Sequence, residues 1–224
     1  MPSREIKKKV TPIRGGRNKK TPIKGGEKNL NMKRQILTRE FYERDTKTVA
    51  RELLGNILVH DTPRGVLSGL IVEVEAYFGR GDPASHASRG KTMRNSIMFG
   101  EPGVAYVYLN YGMHYLLNVV TEPEETPGAV LIRALEPLQG KEIMFENRKM
   151  KSEIMLTNGP GKLTKALGID LSFNGQRITD GCLRIVKGES RRLPIKATSR
   201  VGISVAQDAP LRYYIEDNQF VSGK

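Results

Sequence analysis

Four segments between Val66 and Leu135 are dense in β-branched and aromatic residues and are bounded by Pro or Gly: Val66 to Tyr77, Val104 to Leu109, His114 to Thr121 and Ala129 to Leu135. A chain with this centre must build a sheet. Ile57 to His60 and Val66 to Tyr77 are joined through Asp61–Thr62–Pro63–Arg64–Gly65 and read as a hairpin. Helical patterns surround these strands. Thr38 and Asp45 are N-cap candidates for short helices through Phe41 and over Val49 to Leu54, with Gly55 as the stop. Gly140 to Arg148 and Gly161 to Leu167 also read as helices, and short strands are expected near Leu183 to Lys187, Val201 to Val205 and Arg212 to Ile215. The class predicted from this order is α+β.

With 224 residues, the chain suits one domain plus an appendage and can bury roughly 70% of its unfolded surface. The lone Cys182 closes no intramolecular disulfide, which suits an intracellular protein. No apolar run reaches membrane-spanning length, and no secretory h-region is present, so neither a membrane partner nor secretion is expected.

The charge is unevenly spread. Residues 1–34 carry eight Lys and four Arg against two Glu, a net of +10 out of +13 for the whole chain. This segment has no aromatic residue and nearly repeats itself, TPIRGG at Thr11 and TPIKGG at Thr21. Burial there cannot offset the entropy of ordering, so residues 1–34 read as a disordered basic arm for a polyanion, or simply as a solvated tail. Specificity must come from residues 35–224.

In the run from Leu70 to Gly79, LIVEVEAYFG, alternation puts Glu73, Glu75 and Tyr77 on one face and Val72, Val74 and Ala76 on the other. Taken alone, this is an ordinary half-buried strand. Four tyrosines then fall within GVAYVYLNYGMHYLLNVV, where Tyr106 and Tyr108 share a face and Tyr111 sits at the Asn110–Tyr111–Gly112 turn. Aromatic stripes usually form core, yet phenols need partners and suit half-wet stacking surfaces. Asn118 lies in an otherwise apolar run and must find partners for its amide. Arg133, inside Val130 to Leu135, demands a carboxylate or a ligand, with Glu75 the expected partner. A pair that merely fixes the fold and a catalytic pair remain equally open at this point.

The loop from Gly79 to Phe99 carries His86 with Arg80, Arg89, Lys91 and Arg94, and loops of this length are commonly functional or disordered. His60 and His114 show no ligand-spaced cysteine or carboxylate, so no metal site is expected.

In order along the chain, IVEVEAY, the Ala84 to His86 spacing, YVYLNYGMHYLLN, LIRALEPLQG and NGPGKLTKALGI resemble the alkyladenine (3-methyladenine or methylpurine) DNA glycosylase family, from about Phe41 to Tyr214. The resemblance implies a single α+β domain around a curved, mainly antiparallel sheet with flanking helices, no cofactor, and double-stranded DNA with damaged purines as partner. It also implies a monomer, cytoplasmic and nucleoid-associated in a bacterium or nuclear in a eukaryote. The helix-hairpin-helix of other glycosylases is absent.

By position, the resemblance makes Glu75 the base that activates water, Arg133 the side chain that helps to hold that water, and the Val201 carbonyl its third contact. Tyr77, His86 and Tyr108 become walls around an extruded purine, Asn118 the floor that crowds guanine, and the backbone of Ala84 and His86 the reader of the base edge. Tyr111 becomes the residue that enters the duplex, while Lys91, Arg94, Met113 and Lys162 become contacts to the DNA backbone. No lysine falls in the matched pocket motifs, so hydrolysis without Schiff-base chemistry is expected. His114 stands where the mammalian form has tyrosine, and the stretch His86 to Phe99 is one residue shorter than in that form. The lesion range stays open among 3-methyladenine, 7-methylguanine, hypoxanthine and etheno-adenine. A non-catalytic nucleic-acid-binding protein or a small-nucleoside hydrolase would share some of these features, but the first needs no carboxylate beside a buried arginine and the second no Tyr111.

Overall fold

One strand organises the molecule. The computed structural model describes residues 34–189 and 193–223. Its elements begin with α1 (Arg39–Tyr42), α2 (Thr46–Leu53), β1 (Ile57–Thr62), β2 (Gly65–Phe78), β3 (Ala105–Asn110), β4 (His114–Thr121) and β5 (Gly128–Gln139). They continue with α3 (Lys141–Arg148), α4 (Pro160–Leu167), β6 (Leu183–Val186), β7 (Ile195–Thr198) and β8 (Arg212–Ile215). The sheet order is β3-β4-β5-β2-β1-β6, every pairing is antiparallel, and β8 with β7 joins at β2.

Strand β2 is long enough to share one edge between two partners. Its first part pairs with β1, up to Ile57↔Leu70, and Glu73 to Glu75 pair with β8. Along its other edge, the register with β5 shifts three times, and two of these shifts leave Val72 and Arg133 unopposed. Bulges of this kind bend a strand and increase its twist, which curls the sheet into a half-barrel. They also re-aim the side chains beside them.

The two faces of the sheet are covered differently. On one, Val72, Val74, Leu117, Val119, Ile132 and Ala134 form the main core with α2 and α4. Asp45 caps α2 by accepting the Thr48 amide at 2.9 Å, and Val49, Ala50 and Leu53 turn inward at the 3.6-residue period. Pro160 opens α4, where a missing amide hydrogen costs nothing, and Leu163, Ala166 and Leu167 are buried. On the other face, Ala87, Met98 and Phe99 from the Gly79–Phe99 loop pack on Tyr106, Val120 and Ala129. Tyr106 and Tyr108 lie on this second face, whereas Tyr115 packs against the main core.

The single α+β domain with its antiparallel sheet agrees with the expectation. One strand does not. Val201 to Val205 form a bent, irregular segment, and the strand lies earlier, at β7. The Val201 amide donates to a side chain rather than to a ladder, and Gly202 has a φ of +77°. The basic arm, residues 1–34, lies outside the described residues except for Arg34. Among the described residues, no helix is long and apolar enough to cross a membrane.

Candidate active site

Glu75 is fully buried on β2, and three donors converge on its carboxylate. The Tyr77 hydroxyl donates to Oε2 at 2.8 Å, the Val201 amide donates to Oε1 at 2.7 Å, and Nη1 of Arg133 lies 3.3 Å from Oε2. Alternation makes the first contact possible, because residues 75 and 77 project from the same side of the strand. The second needs the chain to return from far away in sequence. It is the amide of Val201 that makes this contact.

Arg133 is not the private partner of Glu75. Its Nε donates to Glu73 at 3.0 Å, so one guanidinium bridges two carboxylates two residues apart. Glu73 also takes bonds from Arg212 and Ser222, and the four charges together are balanced. The sequence had placed Glu73 on the correct face but gave it no role, and neither Arg212 nor Ser222 carried a motif.

Beside this cluster opens a cavity of about 600 Å³, within the ordinary range for small-molecule sites. Tyr77, Ala84, His86, Tyr106, Tyr108, Tyr111, Asn118, Arg133 and Val201 all line it. Glu75 sits behind that wall. The rings of His86 and Tyr108 meet edge-on with centroids 4.6 Å apart, and Nδ1 of His86 is 2.9 Å from the Tyr106 hydroxyl. Asn118 is buried and its amide donates to the Tyr106 carbonyl at 3.0 Å. Lys162 and Arg148 flank the same cavity, Lys162 donating to Asn158 at 2.8 Å. Lys91 and Arg94 lie outside the cavity on the exposed loop, and Lys91 is paired with Glu125 at 3.0 Å.

The loop wall is held by residues that no motif announced. Asp82 accepts the amides of Phe78 and Ala84 and forms two bonds of 2.7 Å with Arg200, both side chains being buried. Arg200 also donates to the Ala76 carbonyl, and its guanidinium lies 4.6 Å over the Tyr77 ring. Asn95, likewise buried, donates to the carbonyls of His86 and Gly90. The loop is therefore fastened at both ends of its cavity-lining part. Although burial alone would push the Asp82 carboxyl up, Arg200 and the two amides hold it below the usual carboxylate range.

Tyr111 occupies the tip of the β3–β4 hairpin. It is 81% exposed with a φ of +48°, followed by Gly112 at +69°, and the Met113 amide closes the turn on Asn110 at 3.1 Å. Two consecutive positive φ values suit a hairpin turn, but a tyrosine there costs on the order of 1–2 kcal/mol. Met113 beside it is 72% exposed. An apolar pair thus projects from the rim.

Burial, and then the nearby Tyr106 and Glu75, push the Tyr108 phenol up to about 12, and burial with the Glu75 anion raises Tyr77 further. Unfolded tyrosines ionise near pH ~10, so the stability held by these phenols is intact below that pH and is lost as pH climbs from there. Tyr108→Phe is expected to flatten the alkaline fall in melting temperature, and an equally steep fall in both proteins would contradict the assignment.

Among the described residues, no three His, Cys, Asp or Glu side chains gather as a metal site. The Methylpurine-DNA glycosylase family model matches residues 40–219. A relative from Prosthecochloris aestuarii is 53% identical over 186 residues, covering 82% of this chain and 89% of its own length. Others from Desulfitobacterium hafniense (49% identical, covering 84% of this chain and 98% of the relative) and Carboxydothermus hydrogenoformans (50%, covering 84% and 100%) are equally extensive. All three bear the name "Putative 3-methyladenine DNA glycosylase". With a match that spans the sheet, the loop wall and the Val201 return, the chain belongs to the methylpurine-DNA glycosylase family, DNA-repair enzymes that hydrolyse the N-glycosidic bonds of damaged bases.

Proposed function

We propose that this protein removes alkylated or deaminated purines from double-stranded DNA by hydrolysis alone, with Glu75 activating the water. The observation that carries the reading is one buried carboxylate bonded by Tyr77, Val201 and Arg133, three residues that themselves line an aromatic hollow. An ionised carboxylate offers about four acceptor directions; Tyr77 and Val201 take two and Arg133 stands alongside as an ion pair, which leaves acceptor capacity for water. That water attacks C1′ as the bond to N9 breaks; its proton passes to Glu75 and the bonding pair leaves with the purine. A cationic methylpurine departs neutral, whereas hypoxanthine needs a proton.

Reaching C1′ requires the nucleotide to leave the helix, at a cost of a few kcal/mol. Tyr77, His86 and Tyr108 offset this by stacking, which contributes about 1–3 kcal/mol per base, and electron-rich rings favour a cationic base further. Asn118 crowds the exocyclic amino group of guanine. The Ala84 amide is bonded to Asp82 and the His86 carbonyl to Asn95, so edge reading falls to the Ala84 carbonyl and the His86 amide. Arg94, Lys91, Lys162 and Met113 lie against the DNA backbone, and the basic arm of residues 1–34 adds salt-sensitive attraction to it. On this reading the protein works as a monomer wherever the cell keeps its DNA.

The discriminating experiment offers duplexes with one hypoxanthine or one 3-methyladenine, and the matching free nucleosides, and separates released base by chromatography. Release from duplex only is expected. Release from nucleosides as well would indicate a small-nucleoside hydrolase, and release from neither a non-catalytic DNA-binding protein.

The strained exposure of Tyr111 supports its insertion into the helix where the nucleotide has left. Tyr111→Ala should weaken binding to a lesion duplex about tenfold, as expected for one lost stacking contact, and binding to undamaged duplex far less. Equal losses on both duplexes would remove that role.

A further inference from the structure

All three nitrogens of the Arg133 guanidinium are engaged, and two of them face away from Glu75. Nε donates to Oε1 of Glu73 at 3.0 Å, Nη2 donates to the Ser222 hydroxyl at 3.3 Å, and Nη1 lies 3.3 Å from Glu75. Ser222 in turn donates its hydroxyl to Oε1 of Glu73 at 2.8 Å and its amide to Oε2 at 2.6 Å. Arg212 closes the circuit, with Nε on Glu73 at 2.6 Å and Nη2 on the Ser222 carbonyl at 2.8 Å. Glu73, Arg133 and Ser222 are all buried, and the neighbouring Phe220 and Val221 anchor the segment in the core.

The sheet explains why Arg133 needs this help. It falls at the register shift between Glu73↔Ala134 and Val74↔Ile132, so no β2 residue opposes it, and its direction is set by side-chain partners. Two fixed bonds on its far edge leave a single N–H edge pointing at Glu75. A group that must act in a transition state is most effective when its pose is fixed beforehand.

We infer that Glu73 and residues 218–223, acting through Ser222, are positioning elements for base excision that hold Arg133 in the pose facing Glu75 and the reacting sugar. This rests on the glycosylase reading above and assigns part of its machinery to a segment remote from the strands that carry the site. The geometry it requires is a hydroxyl at residue 222 that accepts from Arg133 while donating to Glu73.

The test compares the parent, Ser222→Ala and Ser222→Thr in single-turnover release of hypoxanthine from duplex at saturating protein, with duplex affinity and melting temperature measured alongside. Ser222→Ala should slow release about tenfold, the scale of a slight misplacement of a positioned group, with affinity for the duplex within about twofold of the parent. Ser222→Thr, which keeps the hydroxyl, should restore the rate. Glu73→Gln, which weakens two of the bonds to Arg133 and Ser222 at once, should slow release at least as much. A rate for Ser222→Ala within twofold of the parent contradicts the inference alone, as does a loss that Ser222→Thr fails to restore. A loss that tracks a fall in melting temperature or in affinity makes the contact merely structural and also overturns it. A parent that releases no base overturns the glycosylase reading, and this inference with it.

Discussion

Glu75→Gln is expected to slow single-turnover base release by about 10²–10⁴-fold, the usual range for removing a general base, while leaving lesion-duplex affinity nearly unchanged. The substitution preserves volume, so the wall of Tyr77, Val201 and Arg133 keeps its shape. Tyr77 donates to Oε2 and Val201 to Oε1, so glutamine keeps an acceptor for only one of them, and the other donor faces an NH₂ group that cannot accept. On the proposed reading binding depends on the rings and on the basic surface; of these only the Tyr77 hydroxyl touches the changed atoms, and the Tyr77 ring also packs under the Arg200 guanidinium. A variant that released base within tenfold of the parent would show that the water is activated elsewhere.

The second large effect is on stability. Asp82→Asn leaves the Arg200 guanidinium, which has no exposed side-chain surface, without its counter-charge. Removing one partner of a buried pair costs about 3–5 kcal/mol, because the remaining charge stays desolvated. Arg200 would keep at most one of its two bonds to residue 82, its bond to the Ala76 carbonyl and its position over Tyr77, with no counter-charge. Because folding depresses the Asp82 pKa, its contribution is present above the unfolded carboxyl value near ~3.9 and is lost as pH falls through the lower folded value. Denaturant unfolding should therefore show a wide gap between parent and variant at neutral pH that closes in acid. Lys91→Ala, which removes an exposed pair with Glu125, should cost under about 1 kcal/mol and serves as the contrast. Comparable losses in the two variants would mean that Asp82 and Arg200 are not coupled as described.

Alternation made much of the site legible in the sequence. It aligned Glu75 with Tyr77 and Tyr106 with Tyr108, and the apolar run around Arg133 announced that the arginine had a partner. Glu75 was the expected partner, and the register shift supplies Glu73 as well, a feature that no periodicity reveals. Local pattern failed where distant segments meet. Val201 to Val205 look like a strand until Arg200 is drawn to Asp82 and the Val201 amide to Glu75. Asp82, Asn95, Arg212 and Ser222 are common polar residues in loops or at strand ends, and only the folded chain gives them charged or backbone partners. The hairpin turn was readable from Asn110–Tyr111–Gly112; the strain carried by Tyr111 was not.

In the reaction proposed above, a damaged purine leaves the helix and lodges against Tyr77, Tyr108 and His86 with its C1′ beside Glu75. The most direct measurement is the crystal structure of Glu75→Gln bound to a duplex containing one hypoxanthine. An extruded base between those rings, with Tyr111 in the gap it left and C1′ facing residue 75 and Arg133, is the result expected. A hypoxanthine still stacked in the duplex, or lodged away from the hollow, would contradict the account.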